Sequence, residues 1–143
     1  MSFRRILIAL DESAIAAHAV EVGSELAAAL KAQSALVYVL DATRAFQPDG
    51  GIPAAELVAS LKREGQLFLA AAAQHTAEPP AWQFVREGKP ADQILATARE
   101  WDADAIVVGT HGRSGVSRLV LGSTAEAVVR QAPCPVLVIK PRA

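Results

Sequence analysis

Glycines at a fixed spacing, followed by two hydroxyl residues, are the part of this sequence best suited to chemistry on an anion. Gly109 is followed after two residues by Gly112, and after nine more residues by Gly122, Ser123 and Thr124. Glycines let backbone N–H groups approach a phosphate closely and tolerate φ values that other residues avoid, while hydroxyl groups add hydrogen-bond donors. The spacing therefore predicts a loop that binds a phosphate group.

A helix that begins at Ser123 would strengthen such a site. The first turn of a helix carries N–H groups without intrahelical acceptors and the positive end of the helix dipole. Arg113, inside the loop, adds a positive charge, although such an arginine is more often a solvated surface charge than a phosphate contact. Ser123 and Glu126 also have the spacing of a capping box, in which Ser123 caps the helix without any ligand. We expect Ser123 to serve both as cap and as ligand contact.

Several other kinds of site are excluded by the sequence. It contains no Gly-Lys-Ser/Thr of a Walker A loop, and its glycines do not follow the dinucleotide pattern Gly-x-Gly-x-x-Gly. His18, His75 and His111 are scattered and have no cysteine partners at zinc-binding spacing. No general base is evident beside a nucleophile, so we predict no catalytic residues.

The glycine loop follows an apolar run at 105–108, one of several predicted strands that alternate with helices. The predicted strands are 4–10, 35–40, 82–86, 105–108 and 136–139, and the predicted helices are 13–32, 54–75, 91–101 and 123–131. Apolar strands separated by helices predict a single α/β domain over residues 1–143, with a doubly wound, five-stranded parallel sheet and helices on both faces. In such sheets ligands bind beyond the carboxyl ends of the strands, where the glycine loop would lie.

Composition narrows the class of partner and compartment. The 143 residues are 52% hydrophobic, with 14 basic and 15 acidic side chains and a formal net charge of −1. This balance gives no reason to expect a nucleic acid or a membrane as partner. Cys134 is the single cysteine, which excludes an internal disulfide, and no apolar run approaches 18 residues. Together these features predict a cytoplasmic protein.

The pattern Gly-x-x-Gly, nine residues, then Gly-Ser resembles the nucleotide-binding motif of the universal stress protein family, which holds the ribose and phosphates of ATP. The resemblance implies an adenine nucleotide alpha hydrolase-like fold with strand order 3-2-1-4-5 and a stress-response or regulatory role. It also implies that Asp11 contacts the adenosine and the metal–phosphate region, with Mg²⁺ as the metal. The backbone of Val39 would meet the adenine. Glu12 departs from the family, because many members have Asp-Gly-Ser where this chain has Asp11-Glu12-Ser13.

Other interpretations of these residues stay open. Asp11 and Ser13 also fit a helix cap, and Val39 also fits the core. A slow Mg-dependent ATPase or nucleotidyl transferase could use Asp11 in the same crevice, although hydrolysis should be very slow or absent. In a third hypothesis the glycine loop is only a connection, and the protein is a ligand-free dimeric interaction module.

The last predicted strand indicates how two copies would associate. It is continuously apolar, as expected of a strand buried on both faces, and consists of Val136, Leu137, Val138 and Ile139. In the strand order that the resemblance implies it lies at an edge, and an apolar edge without charge is a site for another strand. Family members commonly pair this strand with its copy, which implies a homodimer. A monomer whose edge is protected by Pro133, Pro135 and Pro141 is the alternative.

Overall fold

Short β-branched runs form the strands of this protein, and the alanine-rich segments between them form most of its helices. The computed structural model describes residues 2–40, 53–110 and 121–141. In chain order the elements are β1 (Arg5–Leu10), α1 (Ala14–Leu30), β2 (Gln33–Leu40), α2 (Ala54–Ala73), β3 (Trp82–Glu87), α3 (Pro90–Glu100), β4 (Ala105–Gly109), α4 (Ser123–Gln131) and β5 (Val136–Ile139). Every predicted strand and helix is present, with ends that differ from the prediction by two residues or fewer.

The sheet has five strands in the order β3-β2-β1-β4-β5, and all four pairs are parallel. This confirms the predicted fold class and strand order. β1 lies in the middle, with β2 on one side and β4 on the other, so the order of the strands reverses there. The carboxyl ends of β1 and β4 consequently lie side by side at the switch point.

Helices cover both faces of the sheet, and the side chains of its strands therefore pack into two separate hydrophobic cores, one on each face. Ile6, Ile8 and Leu10 of β1 contribute to the core beneath α1 and α2, whereas Leu7 contributes to the core beneath α3 and α4. This alternation follows from the two-residue period of a strand. Burial of one such side chain stabilises the fold by about 1.5–3 kcal/mol.

Two glycines allow helices to lie unusually close to the sheet. A Cβ added at Gly23 of α1 would stand 2.8 Å from Ile8 Cδ1, and one at Gly65 of α2 would stand 2.9 Å from Tyr38 Cδ2. Both separations are far below ordinary carbon–carbon contact, so any side chain there would push the helix away. α2 is thereby held directly on the ring of Tyr38.

β5 differs from the expectation of a strand buried on both faces. Ile139 is buried, but Leu137 is 38% exposed, and Val136 and Val138 are only half-buried. The reason is its position, since β5 has β4 as neighbour on one side and is the last strand in the order on the other. Within the described ranges, no helix combines the length and apolar character needed to cross a bilayer.

Candidate functional site

Backbone hydrogen bonds bring the beginning and the end of the glycine loop together. Gly122 N–H donates to Thr110 O at 2.6 Å, and Thr110 N–H donates to Ile139 O at 2.9 Å. Gly109, the last residue of β4, therefore lies near Gly122, as the prediction requires, even though residues 111–121 separate them. Gly112 and Arg113, the other predicted residues of the loop, lie outside the described residues.

α4 begins at this junction and presents its N-terminus there. The first intrahelical bond runs from Glu126 N–H to Gly122 O at 2.9 Å. The N–H groups of the helical residues before Glu126 have no acceptor one turn earlier in the helix, because no helical turn precedes them. Ser123 is exposed and Thr124 is half-buried in this first turn.

The predicted capping box is wrong. Gly122 is the N-cap, Ser123 is already the first helical residue, and the described structure contains no side-chain cap bond at this helix. The physical reason is that a capping side chain must precede the first helical residue, and Ser123 already has helical backbone. Glu126 instead pairs with Arg130 one turn later, at 2.8 Å.

The conformations of the glycines also differ from the sequence argument. Gly122 has φ −63° and ψ 156°, values that any residue adopts, and Gly109 continues strand β4. Among the glycines in the described part of the chain, Gly88 has the positive φ, 139°. Neither Gly109 nor Gly122 therefore needs to be a glycine for a left-handed conformation, and what distinguishes both is the missing side chain.

Asp11 stands directly after β1, beside the end of β4. Its Oδ1 accepts a hydrogen bond from Ser13 N–H at 2.8 Å, an arrangement that turns the chain into α1. Ser13 is the N-cap of α1, but its side chain makes no cap bond. Asp11 is half-buried, and its carboxylate both shapes this turn and lies at the switch point of the sheet.

Val39 lies where β2 extends past the end of β1. The register between these strands ends at the pair Leu10–Tyr38, so Val39 is the next residue along. Gln33 N–H donates to Arg4 O, so the backbone groups of Gln33 point toward β1. Because the backbone groups of successive residues point to opposite sides of a strand, the N–H and C=O of Val39, six residues later, also point toward β1. Its carbonyl thus lies at the carboxyl edge past Leu10, while its side chain packs against the core beneath α3 and α4.

Two residues at this edge were missed by the sequence reasoning. Thr110 holds the base of the glycine loop through its backbone. Tyr38, whose side chain is buried, donates its hydroxyl hydrogen to Glu12 Oε1 at 2.6 Å. A signal for Tyr38 was available, because a tyrosine in a buried strand needs a partner for its hydroxyl.

The donor set at the edge fits a metal ion that arrives with a ligand. Among residues 2–40, 53–110 and 121–141, no group of three or more His, Cys, Asp or Glu side chains could hold a metal. Mg²⁺ commonly binds through one or two carboxylates together with phosphate oxygens and water. Asp11 could supply one such carboxylate, so the residues present are compatible with Mg²⁺ held mainly by a phosphate ligand.

The crevice between the ends of β1 and β4 is the place where open parallel sheets bind their ligands. The fold and this edge thus define a doubly wound α/β protein with a candidate ligand site at its switch point. The chain belongs to the universal stress protein family, whose family model matches residues 2–140.

Similarity to individual members extends over nearly the whole chain. Universal stress protein MJ0531 of Methanocaldococcus jannaschii is 35% identical in an alignment that covers 96% of this chain and 82% of that protein. The structure of universal stress protein UspA from Lactobacillus plantarum superposes with a TM-score of 0.83 at 26% identity, covering 98% of this chain and 99% of that one. The universal stress protein of Archaeoglobus fulgidus, solved in complex with dAMP, has a TM-score of 0.64 and 27% identity, with coverage of 98% and 100%.

Proposed function

We propose that the protein binds an adenine nucleotide, ATP or a close relative, and acts as a stress-response or regulatory protein in the cytoplasm. The observation that carries the proposal is the bond from Gly122 N–H to Thr110 O, at 2.6 Å. It holds the N-terminus of α4 against the end of β4, at the switch point of the sheet. The related protein from Archaeoglobus fulgidus, solved in complex with dAMP, supports an adenine nucleotide as the ligand.

The phosphates would lie at the N-terminus of α4. Backbone N–H groups of Ser123 and Thr124 are oriented along the helix axis toward this edge, and the helix dipole favours negative charge there. The hydroxyl groups of both residues add donors. Gly109, Gly112 and Gly122 would let the ribose and phosphates approach the backbone, and a positive charge from Arg113 would offset part of their negative charge.

The adenosine would lie toward β2. Adenine presents a donor and acceptors on its ring edge. The carbonyl of Val39 points past the end of β1 and could accept from the adenine, whereas the Val39 N–H pairs with Leu10 O in the register of the two strands. Guanine exchanges these donors and acceptors, so recognition by backbone groups would favour adenine. Asp11 would contact the adenosine and bind Mg²⁺ together with the phosphate oxygens. When bound, Mg²⁺ would neutralise part of the negative charge of the phosphates.

The decisive experiment is thermal unfolding with nucleotide. ATP with Mg²⁺ at a hundredfold excess over its dissociation constant should stabilise the fold by about 2.7 kcal/mol, since the ligand binds the folded state alone. GTP should stabilise it less. Gly112→Val is the control variant, because a side chain in the loop should block the phosphates, and it should lose the shift. Absence of any shift with millimolar adenine nucleotides would refute the proposal.

We also propose that the protein is a homodimer through β5. Leu137 is exposed on this strand, and the bonds from β4 use the carbonyls of Pro135 and Ile139. The alternate residues, Val136 and Val138, therefore direct their N–H and C=O groups away from β4. A second copy related by a two-fold axis would pair with these groups.

Sedimentation tests the dimer at micromolar concentration. The unmodified protein should sediment at twice its mass of 15.0 kDa. Val138→Lys should give a monomer, because two charges would meet across the two-fold axis. Leu67→Lys is the matched control: Leu67 is 72% exposed on α2, far from this edge, and its replacement should leave the dimer intact. A monomeric unmodified protein rules the dimer out.

A further inference from the structure

The strand at the other end of the sheet, β3, presents an exposed aromatic ring. Among the described strands it pairs with β2 alone, so it ends the sheet on the side opposite β5. Phe84 faces the core beneath α3 and α4, and by alternation Trp82 and Arg86 face the same side. The rings of Trp82 and Phe84 stack at 6.3 Å and 24°, and Arg86 Cζ lies 5.0 Å from the centre of the Phe84 ring. Trp82 is nevertheless 60% exposed, so its own chain leaves most of this ring uncovered.

The backbone of β3 has groups that point away from the sheet. Gly88 N–H donates to Leu40 O at 3.1 Å, so the backbone of Gly88 points toward β2. Because successive residues point to opposite sides of a strand, the N–H and C=O groups of Gln83, Val85 and Glu87 point outward. A strand edge that carries such groups can pair with another strand.

The two charges of this strand are paired within the chain. Arg86 Nη2 lies 2.8 Å from Glu100 Oε2, and Lys62 Nζ lies 3.7 Å from Glu87 Oε2. Charged side chains commonly keep strand edges apart. Here each charge of β3 has an opposite charge beside it, so a second copy of the strand would meet little repulsion.

Two copies of β3 would be complementary in an antiparallel pair. With Val85 opposite its own copy, Gln83 lies opposite Glu87, so the outward-pointing residues of one strand meet those of the other. Such opposed residues exchange both of their backbone hydrogen bonds. The Gln83 amide can also donate to the Glu87 carboxylate opposite it. Like charges directly opposite one another would destabilise the pair, and this register places none there.

The remaining side chains of β3 fit the same register. Phe84 lies opposite Arg86, which brings a guanidinium of the second copy to the ring. Trp82 lies opposite Gly88, where the Gln93 side chain takes the space of the missing side chain, with Nε2 3.1 Å from the position of a Cβ. Opposed Cβ atoms of an antiparallel pair are about 4.5–5.5 Å apart. The uncovered Trp82 ring of each copy can therefore pack on the Gln93 side chain of the other.

We propose that β3 is a second self-association edge, at which two copies of this chain pair antiparallel about Val85. The inference does not depend on nucleotide binding, and its interface is separate from the dimer proposed through β5. Copies that used both edges would extend into an open chain, because the two edges lie at opposite ends of the sheet. The β3 contact consists mainly of one strand of six residues, so it should be weak and concentration-dependent.

Sedimentation of the Val138→Lys variant tests the proposal, because this substitution removes the contact proposed for β5. The variant should have the monomer mass of 15.0 kDa at about 10 µM and approach twice that mass at about 1 mM, as a small interface would. Adding Gln83→Pro should abolish this association, since proline lacks an N–H and its ring obstructs the edge. Leu67→Lys, at a position 72% exposed on α2, is the control and should leave the association unchanged.

A second substitution keeps the test decisive if Gln83→Pro does not fold. Trp82→Lys replaces an exposed side chain, so the fold should be retained, and it should weaken the association about tenfold through the lost ring packing. Circular dichroism confirms the fold of each variant. A Val138→Lys protein that stays monomeric at the higher concentration overturns the proposal. Association of undiminished strength in a folded Gln83→Pro or Trp82→Lys variant overturns it as well.

Discussion

The two ends of the sheet each carry an aspartate beside β1, and the two are used differently. At the amino end, Asp104 Oδ2 accepts hydrogen bonds from Arg4 N–H at 2.8 Å and Arg5 N–H at 3.0 Å. At the carboxyl end, among the residues that the structure describes, Asp11 accepts one, from Ser13 N–H at 2.8 Å. The same type of side chain thus satisfies backbone donors at the amino end of the sheet, as Asp104, and lies in the open crevice at the carboxyl end, as Asp11.

The surroundings of Asp104 strengthen this contrast. Arg5 Nη1 donates to Trp101 O at 2.8 Å, and the Arg5 guanidinium lies 5.7 Å from the centre of the Trp101 ring. Asp104 N–H in turn donates to Arg5 O at 2.7 Å. Polar groups at the amino end are therefore paired with one another, which stabilises the fold. At the carboxyl end the N–H groups in the first turn of α4 have no acceptor within the helix.

The contrast between the two aspartates predicts its largest effect on the free energy of unfolding, when each of them is replaced by alanine. Asp104→Ala should lower the free energy of unfolding by about 2 kcal/mol, because two backbone donors lose a charged acceptor. Asp11→Ala should lower it by about 1 kcal/mol or less, since one hydrogen bond is lost. Urea unfolding at fixed pH measures both.

For ATP affinity the ranking of the two substitutions should be reversed, with the larger loss in Asp11→Ala. Asp11→Ala should weaken ATP binding in the presence of Mg²⁺, whereas Asp104→Ala should leave it unchanged as long as the protein is folded. Equal losses of stability from the two substitutions would mean that both ends of the sheet are structural, and the contrast would be wrong.

A smaller effect concerns Cys134, which precedes β5 at the amino end. Burial raises the pKa of its thiol, and the negative charge of Asp104 raises it further. Alkylation by iodoacetamide at pH 8 should therefore be slower in the folded protein than in urea, because the reactive thiolate is disfavoured. Asp104→Asn should raise the alkylation rate of the folded protein in part. Unfolding should raise it more, since burial is the larger cause of the raised pKa. Identical rates before and after unfolding would contradict the raised pKa.

The same shift has a consequence for stability whose sign follows from proton binding. As the pH rises through the ordinary thiol range, the unfolded chain loses the Cys134 proton first, while the folded chain retains it. The unfolded state then binds fewer protons, so the free energy of unfolding falls with rising pH. The contribution of Cys134 to stability is complete at neutral pH and is lost as the pH passes through the raised pKa of the folded state.

Local patterns were enough to predict the strands and helices, because each depends on the period of apolar residues and on breakers such as Pro90, which begins α3 as expected. The strand order followed from the family resemblance rather than from any local pattern. What local reasoning missed depends on contacts between distant residues. Gly122 N–H donates to Thr110 O, and Glu12 accepts a hydrogen bond from Tyr38 of the next strand. The exposure of Leu137 depends likewise on which strand ends the sheet.

The positions of four candidate site residues could be predicted from the order of the strands and helices. Asp11, Val39, Gly109 and Gly122 lie at the carboxyl edge because strands and helices of this order must bring them there. Their use in binding stays a prediction, as does the single domain over residues 1–143. The sequence could not predict which hydrogen bonds tie the edge together, since those bonds require the finished sheet.

The bond between Gly122 and Thr110 also bears on how such a protein can diverge during evolution. It fastens both ends of the segment 111–121 to the scaffold, independently of the side chains in between. Doubling the length of a fastened loop costs only about 0.6 kcal/mol in closure entropy. Insertions and substitutions there can therefore accumulate during evolution without unfolding the sheet, so this segment can diverge while the framework stays the same.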